Sequence, residues 1–495
     1  MQDWQHHFST YRQNIVGIDA VIPTPYGEKP LIYADWIASG RLYAPIEQQM
    51  GECLGPYVAN THSESSYTGQ TMTEAYHAAH QEIKNHVNAG EEDVIITAGF
   101  GMTAVVNKLQ RMMGIRLPEH CQDFIPGVRS SREQAADQKP VVFVTHMEHH
   151  SNHISWLETM ADVVVVPPNE DGLVSPQRFA EEVQAHQSRP LKIGAFTAAS
   201  NVSGIIPDYR ELARVMHRHG GLAFVDFAAS APYVPIDMHP QNDPYGGLDA
   251  VFFSPHKFLG GPGSSGVVVF HAQLYKNLVP DHPGGGTVSW TNRWNERRYV
   301  SDIEAREDGG TPGFLQAIRA AMAVRLKEQM GCDAMAAREA ELLHRIRQRL
   351  RPATGLHLLA DGEEERIGVI SFYMEHLHHN LVVRLLNDRF GVQVRGGCSC
   401  AGTYGHYLLN VSRSLSSSIT EEINRGDLTH KPGWVRLSLH PTMTNEELDY
   451  VANAIEQVLD MGRSWAKDYD FHPPSGEYSH KTWRSPQRDW LALGN

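Results

Sequence analysis

Short, almost uninterrupted apolar runs alternate with amphipathic stretches through the first two-thirds of this chain. The runs are Val94–Thr97, Val141–Thr145, Val163–Val166, Lys192–Thr197, Leu222–Asp226, Ala250–Ser254 and Gly266–Phe270. Helical stretches lie between several of them, for example Tyr209–His219 (Tyr-Arg-Glu-Leu-Ala-Arg-Val-Met-His-Arg-His). Strands that are apolar throughout, rather than alternating, predict a sheet buried on both faces, and the helices between them predict mostly parallel order. The fold class is therefore α/β.

Three segments break this pattern. Arg116–Pro140 mixes polar residues and prolines without a period and reads as a surface excursion. Asp281–Gly313 is rich in Gly, Trp and Arg and reads as a long irregular connection, of the kind that is usually functional or mobile. From about Met322 the order changes. A long charged helix (Ala323–Leu350) precedes a strand (Ile367–Tyr373), a helix (His379–Asp388), two more strands (Val392–Arg395, Val435–Leu439) and a last helix (Asn445–Leu459). This predicts a smaller α+β domain sharing a cleft with the large one. The expected layout is an N-terminal arm (1–30), a large α/β domain (31–320), a small α+β domain (321–460) and a C-terminal tail (461–495) containing Pro473-Pro474-Ser475-Gly476.

Composition narrows the function. Apolar residues at 41% and charged residues at 20% of 495 are ordinary globular usage, which excludes disorder, collagen and coiled coil for the whole. Forty-three Lys and Arg against 57 Asp and Glu give a net charge of −14, a surface that repels phosphate backbones, so no nucleic-acid partner is expected. Five cysteines make no disulfide framework and suggest a reducing compartment. The N-terminus lacks the apolar core of a secretory leader, and the longest apolar runs fall far short of a membrane span. A cytoplasmic protein without membrane contact is expected.

Several strand ends carry chemistry. Lys257, in Ser254-Pro255-His256-Lys257, follows a buried strand, at the edge where open α/β sheets bind ligands. Its amine could form a Schiff base with a carbonyl cofactor, or be a surface lysine in a loop. Asp226 ends the preceding strand, where a carboxylate could hold a pyridine nitrogen protonated or cap a helix. The run Thr97-Ala98-Gly99-Phe100-Gly101-Met102-Thr103 passes from strand through glycines to helix, an arrangement that cradles an anion and also makes a tight turn. Gly261-Pro-Gly263-Ser-Ser-Gly266 matches the dinucleotide string but precedes a strand rather than a helix, so it is rejected. The histidines of His146-Met-Glu-His149-His150-Ser-Asn152-His153 fit no common zinc spacing; one stacking on a flat cofactor and the rest structural is the better reading, and no metal is expected. Finally, Arg395-Gly-Gly-Cys398-Ser-Cys400 joins a small-domain strand to a Gly-rich loop, where a cysteine on a flexible segment beside an arginine is a candidate nucleophile. Cys53, Cys121 and Cys332 have no such context.

Together these segments resemble the class V aminotransferase family of pyridoxal-phosphate enzymes, and within it the cysteine desulfurase and selenocysteine lyase branch. The resemblance runs from Tyr33-Ala-Asp-Trp-Ile-Ala-Ser39 to about Leu459, through Asn60-Thr-His62-Ser, Gly101-Met-Thr103, Glu148-His149-His150, Ser200-Asn201-Val-Ser-Gly204, Val225-Asp226, Ser254-Pro-His256-Lys257, Gly309-Gly-Thr311-Pro and Arg395-Gly-Gly-Cys-Ser-Cys400. The last string is also similar to the cysteine loop of molybdenum-cofactor sulfurases. The resemblance implies the pyridoxal-phosphate transferase type I fold, with a mostly parallel seven-stranded sheet. It implies pyridoxal 5'-phosphate as cofactor, Lys257 as the Schiff-base lysine, Asp226 on the pyridine nitrogen and His149 stacked on the ring. Thr103, Ser254 and His256 would hold the phosphate, with Thr311 reaching it from a second subunit of a homodimer. Asn201 and Arg395 would orient the amino-acid substrate, with Arg395 gripping its carboxylate in a fork and His62 nearby. Cys400 stands at the persulfide-forming position, with Cys398 as a rival, and a sulfur acceptor protein is a possible partner.

Two positions depart from the pattern: Ala229 where many relatives carry glutamine, and Met102 where a hydroxyl residue is common. The segment Tyr404–Gly433 is also long. The implied reaction removes sulfur or selenium from the amino acid to give alanine through an enzyme persulfide. The alternatives are another class V reaction (epimerase, kynureninase-like hydrolase or aminotransferase) and a non-catalytic scaffold.

Overall fold

All seven apolar runs form strands of one sheet: β1 (Asp93–Ala98), β2 (Val141–Thr145), β3 (Asp162–Val166), β4 (Lys192–Thr197), β5 (Leu222–Asp226), β6 (Ala250–Phe253) and β7 (Gly266–His271). They belong to a computed structural model that describes residues 3–61, 64–124 and 136–492. The spatial order is β1-β7-β6-β5-β4-β2-β3. Only β7 runs antiparallel to its neighbours β1 and β6; the other pairings are parallel. The carboxyl ends of β1, β2, β4, β5 and β6 therefore share one edge.

The sheet is buried on both faces because neighbouring residues feed different apolar layers. Val141 and Phe143 on β2 join one cluster, and Val142 and Val144 join the other. On β5, Val225 and Phe224 divide in the same way. Each such side chain, fully buried, contributes roughly 1.5–3 kcal/mol, which is why the runs need no polar face.

The C-terminal part forms a four-stranded antiparallel sheet of β8 (Leu356–Leu358), β9 (Val369–Met374), β10 (Arg395–Gly397) and β11 (Trp434–Ser438), in the order β8-β9-β11-β10. Its core includes Phe372, Leu385, Val435 and Ile455 together with Phe8 of the N-terminal helix Trp4–Arg12. Ile32–Tyr33 pairs in parallel with Val392–Gln393, so the segment following that helix is stitched to this part of the chain.

Three expectations are corrected. The charged helix expected over 323–350 is two helices, Phe314–Met330 and Cys332–Leu350, broken at Gly331, whose φ of +79° no α-helix accommodates. The 281–313 segment is not structureless: it holds a hairpin (Val288–Thr291 with Arg297–Tyr299) and a short helix (Ile303–Glu307). The last helix runs on to Trp465, and the tail folds back as a hairpin, Tyr469–His472 with Glu477–His480. The 404–433 segment contains the helices Gly402–Leu408 and Arg413–Asn424. Much of the 116–140 excursion lies outside the described residues. No helix among the described residues is long and apolar enough to cross a membrane.

Candidate active site at the carboxyl edge of the sheet

Strand β6 ends at Phe253, and Pro255–Lys257 then forms one tight 3-10 turn. Lys257 and Phe258 donate their N–H groups to the carbonyls of Ser254 (3.0 Å) and Pro255 (2.9 Å). Two glycines let other backbone press against this turn. A Cβ on Gly40 would sit 1.9 Å from the Phe258 oxygen, and one on Gly261 would sit 1.8 Å from the Pro255 oxygen. Lys257 is held by close packing. Beside it, β5 ends at Asp226, whose Oδ1 accepts the Ala228 N–H at 2.7 Å.

Burial disfavours charge on both groups. It pushes the Asp226 carboxyl up to about 6, opposed by the Ala228 N–H and the Lys257 charge. It brings the Lys257 amine down to about 8, with Asp226 resisting and Arg436 and Arg395 assisting.

Strand β1 leads through Gly99 and Gly101 into the helix Met102–Met112. The Met102 N–H donates to Ser254 Oγ at 2.8 Å. A Cβ on Gly101 would lie 3.2 Å from Ser254 Oγ and 3.4 Å from His256 Nε2, so glycine keeps this corner open. Thr103 is exposed, with Oγ1 2.7 Å from Ser151 Oγ. A helix N-terminus, two hydroxyl residues and an imidazole thus converge on one pocket, a ready anion cradle.

After β2, His149 caps the helix His150–Leu157, its Nδ1 accepting the Ser151 N–H at 3.1 Å, so the neutral ring carries its proton on Nε2. Burial and then the neighbouring Lys257 bring its pKa down to about 3, leaving it uncharged at neutral pH. The buried Glu148 braces this turn, accepting from Thr145 Oγ1 (2.7 Å) and Asn152 (2.8 Å) and from the Thr197 N–H on β4 (3.0 Å).

These groups line one cavity of about 920 Å³ with Asn201, Arg395, Cys400 and Arg436. Its lining includes Lys257, Asp226, His149, Thr103, Ser254 and His256, all singled out from the sequence. Met102 and Ala229 line it as well. Thr311 is exposed and is not part of the cavity of its own chain. His62 lies outside the described residues.

Arg436 and Asp35 were missed by the sequence reading of the site. Arg436 comes from β11 with its side chain only 4% exposed, whereas Arg395 on β10 is 50% exposed. Both hold Asp35: Arg436 on Oδ1 at 2.8 Å, and Arg395 through Nε on Oδ2 at 3.1 Å. Arg436 also donates to the Asn201 carbonyl at 3.2 Å, while its Nε has no partner among the described residues. A lone arginine inside the apolar run Trp-Val-Arg-Leu-Ser was the available signal, since a charge is rarely buried without a purpose.

The cysteine loop differs from the flexible segment expected. The Ala401 N–H bonds back to the Cys398 carbonyl at 3.0 Å, closing a turn with Ser399 and Cys400 both left-handed (φ +51° and +55°). Asn201 Nδ2 donates to the Ser399 carbonyl (2.8 Å), and the His150 N–H donates to that of Cys400 (2.8 Å). The Gly402 N–H donates to His150 Nε2 at 3.0 Å. The turn is clamped from the large sheet, and His150 is part of the clamp.

The sheet order and this site define an α/β enzyme scaffold with a lysine and a carboxylate at adjacent strand ends. The aminotransferase class-V family profile matches residues 127–451, and the chain belongs to that family. Among curated relatives, a probable cysteine desulfurase of Halalkalibacterium halodurans is 28% identical over 75% of this chain and 84% of its own. One of Staphylococcus aureus is 26% identical over 87% and 92%. Among solved structures, a cysteine desulfurase of Thermococcus onnurineus superposes with a TM-score of 0.70 at 20% identity, over 91% of this chain and 98% of that one. The Escherichia coli cysteine desulfurase CsdA gives 0.69 at 20%, over 92% and 98%.

Proposed function

We propose that this protein is a pyridoxal-phosphate-dependent cysteine desulfurase, accepting L-cysteine or its selenium analogue. The observation that carries the reading is a single cavity lined by the Lys257 amine, the Asp226 carboxylate, an anion cradle and the Cys400 thiol. The cofactor fits this donor set. Lys257 would bind its aldehyde and Asp226 its ring nitrogen. His149 would cover its face, and Ser254, His256, Thr103 and the N–H groups after β1 would take its phosphate. Bound there, pyridoxal phosphate supplies an electron-withdrawing ring that stabilises negative charge at the substrate α-carbon.

The protein's residues do the rest. Arg436, with Arg395 beside it and Asn201 behind, binds the substrate carboxylate in a charge-assisted fork. Lys257, whose depressed pKa makes the neutral amine accessible near pH 8, takes the Cα proton. Cys400 as thiolate takes the sulfur, whose bond to Cβ breaks with the electron pair left on carbon. Protonation there gives alanine, so cysteine plus thiol becomes alanine plus persulfide. Phe100 at the cavity, 82% exposed, and Leu278, also 82% exposed, are apolar surface that a second subunit would cover. A homodimer lending Thr311 to each neighbouring site accounts for both features.

The test is direct. Purified protein given L-cysteine and a reductant should yield alanine and sulfide in equal amounts. Cys400→Ala should keep the visible pyridoxal absorption and lose sulfide release. Wild-type protein that binds the cofactor yet forms neither product would instead favour another class V reaction, for which Ala229 in the cavity wall is the supporting observation.

A further inference from the structure

The cysteine turn separates two cavities. On its outer side is a second one of about 270 Å³, whose wall includes His378, His379, Arg395, Lys431 and Glu477. Lys431 belongs to the long 404–433 segment and Glu477 to the C-terminal hairpin, so this cavity joins parts of the chain that the main site does not use to Arg395 and the cysteine turn, which it shares with that site. Ser399 and Cys400 line both cavities, whereas Cys398 lines only the outer one. Between them the Ser399 hydroxyl, only 9% exposed, has no partner among the described residues. Among the same residues His378 Nε2 on the outer wall has none either.

The clamped turn sharpens the consequence. With the carbonyls of Ser399 and Cys400 tied to Asn201 and His150, the backbone of the turn is fixed and Cys400 stays where the two cavities meet. A second thiol two residues away, Cys398, lines the outer cavity and not the inner one, so sulfur held there stands clear of the main site.

We propose, resting on the desulfurase reading, that Cys398 is a relay thiol which receives sulfur from Cys400 and presents it in the outer cavity to a small carboxylate-bearing thiol. In the transfer, Cys398 as thiolate attacks the terminal sulfur of the Cys400 persulfide. A Cys398–sulfur bond forms, the Cys400–sulfur bond breaks, and Cys400 leaves as thiolate, taking up the proton that Cys398 gave. There is no net oxidation, and the acceptor thiol repeats the exchange at Cys398. The acceptor class follows from size and charge. The volume lies just under the roughly 300–1,000 Å³ of ordinary small-molecule pockets. Lys431 and Arg395, the latter held through Nε by Asp35, bring cationic donors to a cavity whose own lining has the single carboxylate of Glu477.

The holoenzyme is given one equivalent of L-cysteine and quenched in acid at intervals. Tandem mass spectrometry then locates the added sulfur, and its chase into glutathione or uncharged 2-mercaptoethanol is timed. In wild type the sulfur should appear on Cys400 first and on Cys398 next. In Cys398→Ser it should stay on Cys400, and the glutathione chase should slow at least tenfold. Lys431→Glu should slow the chase into glutathione at least tenfold relative to that into 2-mercaptoethanol. Sulfur that never reaches Cys398, or a Cys398→Ser chase at the wild-type rate, overturns the relay while leaving the desulfurase reading intact. Equal slowing of both thiols by Lys431→Glu overturns the acceptor class. Absence of persulfide on either cysteine in wild type overturns the desulfurase reading and the relay with it.

Discussion

At the scale of single residues, burial sets what each group can do. Arg436 and Arg395 both touch Asp35, yet only Arg436 is withdrawn from water. A charge-assisted hydrogen bond contributes about 1.5–3 kcal/mol, and it is least screened where water is excluded. We therefore expect Arg436→Ala to lower kcat/KM for the amino acid about a hundredfold, chiefly through KM, and Arg395→Ala about tenfold. Arg436→Lys should not rescue, because an ammonium cannot form the planar fork. Lys257 gives a pH signature. Its amine is near 8 in the folded protein against an ordinary 10.5, so unfolding takes up a proton between those values. The unfolded state binds more protons there, and stability rises with pH through that window by at most about 1.4 kcal/mol per unit. Below about pH 8 the cost of burying the charged amine is fully present. Denaturation of the cofactor-free protein should show this rise, and Lys257→Met should remove its share, leaving that of the similarly buried Lys327, also near 8.

At the scale of elements, the site depends on turns pressed against one another. The turn carrying Lys257 is backed by Gly40 and Gly261, each facing a backbone oxygen that no side chain could displace cheaply. Gly261→Ala should cost about 3 kcal/mol, seen as a lower denaturation midpoint. Cofactor affinity should fall with it, because the amine moves with the turn. A substitution at Gly285, whose Cβ would meet nothing within 4 Å, serves as the control. The alternation of buried strands made the main sheet legible. The break at Gly331 was harder to see, because charged residues continue on both sides of it and composition alone does not reveal a left-handed residue.

At the scale of the whole molecule, the proposed homodimer is open to a direct test. Thr311 is exposed and away from its own cavity. If it serves the neighbour, mixing Lys257→Ala subunits with Thr311→Val subunits creates dimers with one site carrying both defects and one carrying neither. Visible cofactor absorption at wild-type affinity should then return at up to half the sites. If Thr311 acts within its own subunit, every site in the mixture stays defective. Sedimentation at twice the chain mass is the accompanying expectation.

The sequence alone determined the seven central strands, because a strand buried on both faces carries apolar residues in succession rather than in alternation. It also determined which strand ends carry Lys257 and Asp226, since each follows such a run directly. Only the tertiary structure brought Arg436 and Asp35 together, because they lie in different elements and become partners only when β11 and the N-terminal segment meet. It also decided that the cysteine turn is clamped and faces two cavities. Those bonds come from Asn201 and His150, residues distant along the chain whose reach depends on how the two parts of the molecule pack.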